Sequence, residues 1–428
     1  MKNKFIYAII FGAIVFFSAC SSSSKKESKE ANSLSEKTFY EIDLSKDFTG
    51  NNCNNLLLSD IVEDVEYVQL ETTDDCLIDQ SNFYAFTDKD IYVLNKNYNN
   101  EELFRFDKAT GKFIRKIGQI GQGPKDMMRP GAIYADNNNV YASSSATNKI
   151  YVYDKDGEFV RTIPTRRGWG ERITVLQNKY IIHNTGWDFM VRSDDDGSNS
   201  HEYGSRNLYI AANIQDMEGN TILAKCDTLQ GEKPSMTLDP NPIRWYYNGE
   251  LNFYDEVDNI IYAANENGFT PRYKLNLGKN RWVETGKLTK EFLKYIKIHY
   301  FQETADYLFI YWNQREKAYF ARFNKKTEVL EVEEEEPFKS RFWHLYAYGP
   351  KNDIDGCGTY FRQGCGSYED KSGSILFEIN PNNIDGVREA LKKAENVKFP
   401  EKRQQLLKML DERKEDDNPI LVIYKLKK

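Results

Sequence analysis

Short runs of aromatic and β-branched residues alternate with polar turns along most of the chain. They include Ile91-Tyr92-Val93, Val140-Tyr141-Ala142, Tyr180-Ile181-Ile182, Ile260-Ile261-Tyr262 and Tyr307-Leu308-Phe309-Ile310. Runs of this length, bounded by Asp, Asn and Gly, predict strands rather than helices. Three of them precede a motif that repeats. Phe106-Asp107-Lys108-Ala109-Thr110-Gly111-Lys112-Phe113 returns as Tyr153-Asp154-Lys155-Asp156-Gly157-Glu158-Phe159, so the aromatic-Asp pair recurs after 47 residues. Phe323-Asn324-Lys325-Lys326-Thr327-Glu328-Val329-Leu330 is a weaker third copy. Each copy predicts two strands joined by a tight turn, for which Asp and Gly supply the chemistry. Four short antiparallel strands recurring about every 40 to 50 residues mark the blades of a β-propeller. A sandwich of hairpins has no reason to repeat a two-strand motif at one long period, so an all-β propeller is the expected fold.

Two stretches break the strand pattern. Residues 285–298 carry apolar side chains at helical spacing (Leu288, Phe292, Leu293, Ile296), and residues 385–416 contain two charged amphipathic stretches around Pro400. Both read as small helical insertions. A ring must also close, and the strand expected at 420–424 is the natural neighbour of the one at 65–70, giving N- and C-terminal strands in one blade.

Composition narrows the function classes. The 428 residues carry 65 acidic and 58 basic side chains, for a formal charge of -7. The basic residues are spread along the chain, so there is no electrostatic footprint for nucleic acid. With 14% aromatics and 40% hydrophobic residues the chain can build a large core.

Residues 1–19 read as an export signal: Lys2 and Lys4 precede an apolar stretch of 13 residues, Phe5 to Phe17, too short to span a bilayer. The ending Phe17-Ser18-Ala19-Cys20 resembles a bacterial lipobox. That resemblance implies cleavage before Cys20 and lipidation of its sulfur, with the membrane as partner through this anchor. Residues 20–37 are then the lipidated cysteine and a flexible polar tether, and 38–428 the propeller.

Between 113 and 160, the residues Gly118, Gly121, Gly123, Pro130, Ile133, Asp136, Val140-Tyr141, Asn148-Lys149-Ile150, Tyr153-Asp154, Gly157 and Phe159 resemble an NHL repeat, itself a propeller blade. Ser143 replaces the usual aspartate and Lys149 the common arginine. Together with the lipobox, the opening at 65–72 and the ending at 419–424, the mature chain resembles the six-bladed propeller lipoproteins of Bacteroidota. The resemblance implies six blades and an envelope address, and no chemistry.

Candidate chemistry is sparse. The loop Gly118 to Pro124 superficially looks like a phosphate cradle, but Pro124 and a strand follow where a helix is required. Asp194-Asp195-Asp196-Gly197 looks like part of a calcium loop, yet Arg192 and Tyr203 stand where ligand acids belong. His183, His299 and His344 lie on different expected blades and would hold a divalent metal in the channel under an alternative reading, without any diagnostic spacing. Cys357 and Cys365 each sit beside glycine and are a candidate local disulfide, and Cys53 and Cys76 are a second candidate pair. Arg129, Arg172, Arg244 and Arg341 precede or begin expected innermost strands and would form a cationic ring for an anionic ligand. Trp245 and Trp343, with Trp169, would add stacking platforms for sugars.

These features favour a lipid-anchored binding or protein-interaction module for an anionic or glycan-type ligand or an unknown protein. No cofactor is expected. The alternative is a channel-centred, metal-dependent hydrolase or lyase, because propellers host both uses. Ser21 after the lipidated cysteine points to an outer-membrane lipoprotein facing the periplasm, with surface exposure left open.

Overall fold

A computed structural model describes residues 39–427 apart from 52, 54–55, 80–81, 97–100, 145, 166–171, 185, 188–207, 229–242, 282–293, 316, 336–349, 358–367, 370, 372 and 415. The strands form six small sheets, the blades of a six-bladed propeller. Blade 1 contains Asn82–Phe86, Asp90–Asn95, Glu102–Asp107 and Phe113–Lys116, and blade 2 contains Ala132–Ala135, Asn139–Ser144, Lys149–Asp154 and Phe159–Pro164. Blade 3 is built on Arg172–Leu176, Tyr180–Asn184, Leu208–Asp216 and Thr221–Thr228. Blade 4 has Arg244–Tyr247, Glu250–Asp255, Ile260–Asn265 and Gly268–Asn276, and blade 5 has Lys297–Glu303, Tyr307–Gln314, Lys317–Asn324 and Leu330–Glu335. In each the first strand is innermost. Blade 6 closes the ring with Ile375–Ile379, Ile420–Leu426 and Val62–Gln69.

The repeat seen in the sequence is a turn device. Asp107 Oδ1 accepts from the Thr110 amide at 2.8 Å, Asp154 Oδ1 from the Asp156 amide at 2.9 Å, and Asn324 Oδ1 from the Thr327 amide at 2.9 Å. The lysine after each ties this turn to the one between the first two strands: the amides of Lys108, Lys155 and Lys325 donate to the carbonyls of Lys89, Asn138 and Asp306. Blades 3 and 4 use the same cap without the aromatic. Asp216 Oδ1 accepts from the Asn220 amide at 2.8 Å, and Asn265 Oδ1 from the Asn267 amide at 2.9 Å.

Packing follows from strand alternation. Side chains leave the two faces of each sheet and meet those of the neighbouring blades. Among the described residues six apolar clusters result, one at each seam. Ile133 of blade 2 and Tyr92 of blade 1 belong to one such cluster, for example, and Leu421 of blade 6 and Val93 of blade 1 to another. Gly111 shows how tight a seam can be. Its φ is +70°, and a Cβ there would lie 1.9 Å from the Gln69 carbonyl oxygen.

Ring closure follows the sequence expectation. Val62–Gln69 runs antiparallel to Ile420–Leu426, with Val65 opposite Tyr424 and Gln69 opposite Ile420. The stretches around Pro400 form helix α1 (Ile384–Lys393) and helix α2 (Pro400–Glu412). Lys402 of α2 donates to the Val65 carbonyl at 2.8 Å, which shields the outer edge of this blade. The helical expectation at 285–298 is corrected at its described end. Ile296 forms a bridge to Arg281, and Ile298 lies in the strand Lys297–Glu303. Both are buried, as core strand residues are. Tyr40–Asp43, which the sequence pattern does not reveal, adds a parallel fifth strand to the outer edge of blade 4.

Candidate functional site

Arg244 is buried, and its Nη2 donates to the Ile173 carbonyl on the innermost strand of blade 3 at 3.1 Å. It therefore faces a seam. Arg129 is exposed, at φ +46° in the turn before blade 2, and half-buried Arg172 begins the innermost strand of blade 3. Arg341 lies outside the described residues. Trp245 is 6% exposed and stacked on Phe301, with ring centroids 5.0 Å apart. That packing leaves no open face for a sugar. Trp169 and Trp343 lie outside the described residues.

His183 is buried on the second strand of blade 3, opposite Ile173 and Asn213. His299 is on the innermost strand of blade 5, where burial, aided by Lys297, pulls its imidazole down to about 3 and keeps it neutral. His344 is outside the described residues, among which no group of three or more His, Cys, Asp or Glu could hold a metal. Cys357 is a free, buried thiol, and Cys20 and Cys365 lie outside the described residues. The pairing of Cys53 with Cys76 is corrected: Cys53 Sγ donates to Glu333 at 3.7 Å and Cys76 Sγ to the Glu71 carbonyl at 3.2 Å.

Two features emerge that the sequence does not announce. The first is on the axis. Tyr368–Glu369 pairs in parallel with Tyr84-Ala85 on the innermost strand of blade 1. Just beyond it, Lys371 Nζ lies 5.2 Å from the ring centroid of Tyr134 in blade 2. Gly373 accepts from Gln302 Nε2 of blade 5 at 3.3 Å. At φ +78°, Gly373 also approaches blade 4 so closely that a Cβ would stand 2.9 Å from the Tyr246 carbonyl oxygen. This short stretch thus touches the innermost strands of four blades. Those strands are also tied to one another, through Tyr134 Oη to the Val175 carbonyl at 3.2 Å and Thr174 Oγ1 to Tyr246 Oη at 2.7 Å.

The second lies at the seam of blades 4 and 5. Glu303 is completely buried at the end of the innermost strand of blade 5. Its Oε1 accepts from Arg272 Nη2 at 2.6 Å, Tyr273 Oη at 2.7 Å and Lys325 Nζ at 2.7 Å, and its Oε2 from Arg272 Nη1 at 2.7 Å. Burial alone would raise this carboxyl. The hydrogen bonds from Arg272 and the two nearby cations outweigh it and hold Glu303 below the usual carboxylate range. Burial also lowers Lys325, which the charge of Glu303 opposes. The Arg272 guanidinium sits 5.2 Å from the ring centroids of both Tyr247 and Tyr273, and Lys325 Nζ sits 4.3 Å from that of Tyr247. A carboxylate so fully donated to is a poor proton donor, so this cluster suits charge recognition better than acid catalysis. Lys325 belongs to the third copy of the repeat, but nothing in the sequence links it to Arg272 or Glu303.

Comparison with known proteins agrees with the fold. A Bacteroides fragilis NCTC 9343 protein, named as a candidate exported protein, superposes with a TM-score of 0.61 over 91% of this chain and 100% of its own, at 16% identity. A DUF4221 family member from Bacteroides vulgatus ATCC 8482 matches with a TM-score of 0.42 over 86% of this chain and 97% of its own, at 8% identity. A streptogramin B lyase matches with a TM-score of 0.33 over 73% of this chain and 93% of its own, at 14% identity, too remote to bear on chemistry. No curated protein matches in sequence. Residues 39–425, almost the whole propeller, match one family profile, and the chain belongs to that family, the domain of unknown function DUF4934.

Proposed function

We propose that this protein is a lipid-anchored propeller of the cell envelope that acts as a binding or assembly module, held in the outer membrane through Cys20 and facing the periplasm. The observation that carries a binder over a channel-centred hydrolase or lyase is the chain's own strand on the axis. A catalytic centre there needs open volume for substrate beside its reacting groups. Here Tyr368–Glu369 takes the inner edge of blade 1, and Gly373 lies against blades 4 and 5. The lipobox-like ending at Cys20 supports the anchor, and the NHL-like spacing over 113–160 supports kinship with that class of blade. The export named for the Bacteroides fragilis protein agrees with the address.

Metal analysis of the full chain, after expression in medium supplemented with zinc and calcium, tests the choice. Metal well below one equivalent is expected. One equivalent, lost on either His183→Ala or His299→Ala, would overturn the binder in favour of the enzyme.

A further inference from the structure

The seam cluster is built around one carboxylate and two cations. Arg272 alone grips both oxygens of Glu303, and Tyr273 adds a third donor. Glu303 is satisfied without Lys325. Yet Lys325 lies on the same Oε1 that Arg272 Nη2 contacts, at 2.7 and 2.6 Å, so two like charges crowd one atom. The nearby Lys326 is neutralised by Asp306 at 2.7 Å, which leaves the trio with one positive charge beyond its acid. Side-chain exposure is 10% for Lys325 and 19% for Arg272, enough to be reached from solvent and little enough to escape most screening.

The internal repeat shows that blades 1 and 5 fill the matching slot differently. Lys108 is the counterpart of Lys325 in blade 1, and both donate from Nζ to the carbonyl of a threonine, Thr87 at 3.3 Å and Thr304 at 2.6 Å. The residue before that threonine is Phe86 in blade 1 and Glu303 in blade 5. Lys108 simply covers the Phe86 ring, 5.6 Å from its centroid. In blade 5 the same slot holds a buried acid, and the neighbouring blade sends in Arg272. Thr304 and Glu303 account for two of the three protons that an ammonium donates.

We propose that Lys325 and Arg272, walled by Tyr247, form a recognition site for a single oxyanion group, a carboxylate or a sulfate carried by an anionic ligand. The site stands independently of the membrane anchor and of the strand on the axis. Lys325 is held against a like charge and largely out of water beside an acid whose two oxygens Arg272 already bonds, a cost to stability of the kind retained for function.

The test uses the full chain and two probes, glucuronate for a carboxylate and glucose 6-sulfate for a sulfate, with glucose as the neutral control. Titration calorimetry at low and high salt is paired with thermal unfolding of Lys325→Met and Lys325→Arg. At least one probe is expected to bind the wild type, more weakly as salt rises, while glucose does not. Lys325→Met should weaken that binding about tenfold, the loss of roughly one charge-assisted hydrogen bond. Its melting temperature should stay level or rise, and Lys325→Arg should keep the binding. The probe that binds identifies the group. Absence of binding by both probes to the wild type overturns the proposal. So does binding that Lys325→Met leaves intact. A lowered melting temperature in Lys325→Met with binding retained in Lys325→Arg at neither probe would mark the cluster as a structural lock only.

Discussion

The Tyr67 hydroxyl donates to Asp355 Oδ2 at 2.5 Å, both groups buried, and the contact joins the N-terminal strand of the closing blade to the segment that precedes that blade. The other oxygen of Asp355 accepts from Asn352 Nδ2 at 2.7 Å and from the Cys357 amide at 3.0 Å. Tyr424, on the C-terminal strand, reaches the same carboxylate at 3.4 Å. One acid therefore gathers both ends of the chain. Burial raises Asp355 above the usual carboxylate range, and these donors, Tyr67 first, oppose it.

Tyr67→Phe removes the shortest of these bonds and leaves the ring in place. It should cost about 2 kcal/mol, as for other hydrogen bonds to charged groups. Urea unfolding of the full chain checks this, and an unchanged midpoint would mean that the contact adds nothing to closure.

Deleting residues 419–428 removes the middle strand of the three-stranded closing blade. Two strands, Val62–Gln69 and Ile375–Ile379, then lose their shared partner and present unpaired edges. Such edges template association, so light scattering should show aggregates. A monomer with wild-type melting behaviour would argue against closure by this strand.

Asp255 is completely buried, 2.9 Å from Lys225, with Asp258 also on that ammonium at 3.2 Å. Burial first, then Asp258, pushes its carboxyl up to about 7 against Lys225. Its folded value thus exceeds its unfolded one, so the stability it contributes is fully present below the ordinary aspartate range and is lost as pH rises towards 7. Asp255→Asn should flatten the fall in urea midpoint between pH 5 and pH 8. A steeper fall in the variant would reverse the assignment.

Cys20→Ser should abolish acyl labelling and shift the protein from the membrane to the soluble fraction. Labelling that persists, or full membrane retention, would place the attachment elsewhere.

The fold was legible because blades advertise themselves locally. Asp107, Asp154 and Asn324 cap their turns with their own side chains, so the device is written in the residues. Blades 3 and 4 escaped notice because Gln215 and Ala264 stand where the other copies have an aromatic before the capping residue. The candidate site was less legible, for a geometric reason. Side chains of an innermost strand leave the faces of its sheet, which meet the neighbouring blades, while the axis faces the strand's edge. Arg244 and Trp245 consequently enter seams, although their positions along the chain place them beside the channel. The Glu303 cluster joins residues from two blades, and the axial strand pairs positions far apart in sequence, Tyr84 with Tyr368. Neither leaves a local pattern to read.

The proposed binding role requires the chain's own backbone at the axis. Hydrogen–deuterium exchange resolved to Tyr368 and Glu369 measures this directly, because amides paired with the inner edge of blade 1 exchange far more slowly than unpaired ones. Protection close to that of the neighbouring strand Asn82–Phe86, reduced in Gly373→Val where the new side chain would strike the Tyr246 carbonyl, is the expected result. Exchange at the rate of an unstructured chain in the wild type would leave the channel open and contradict the account.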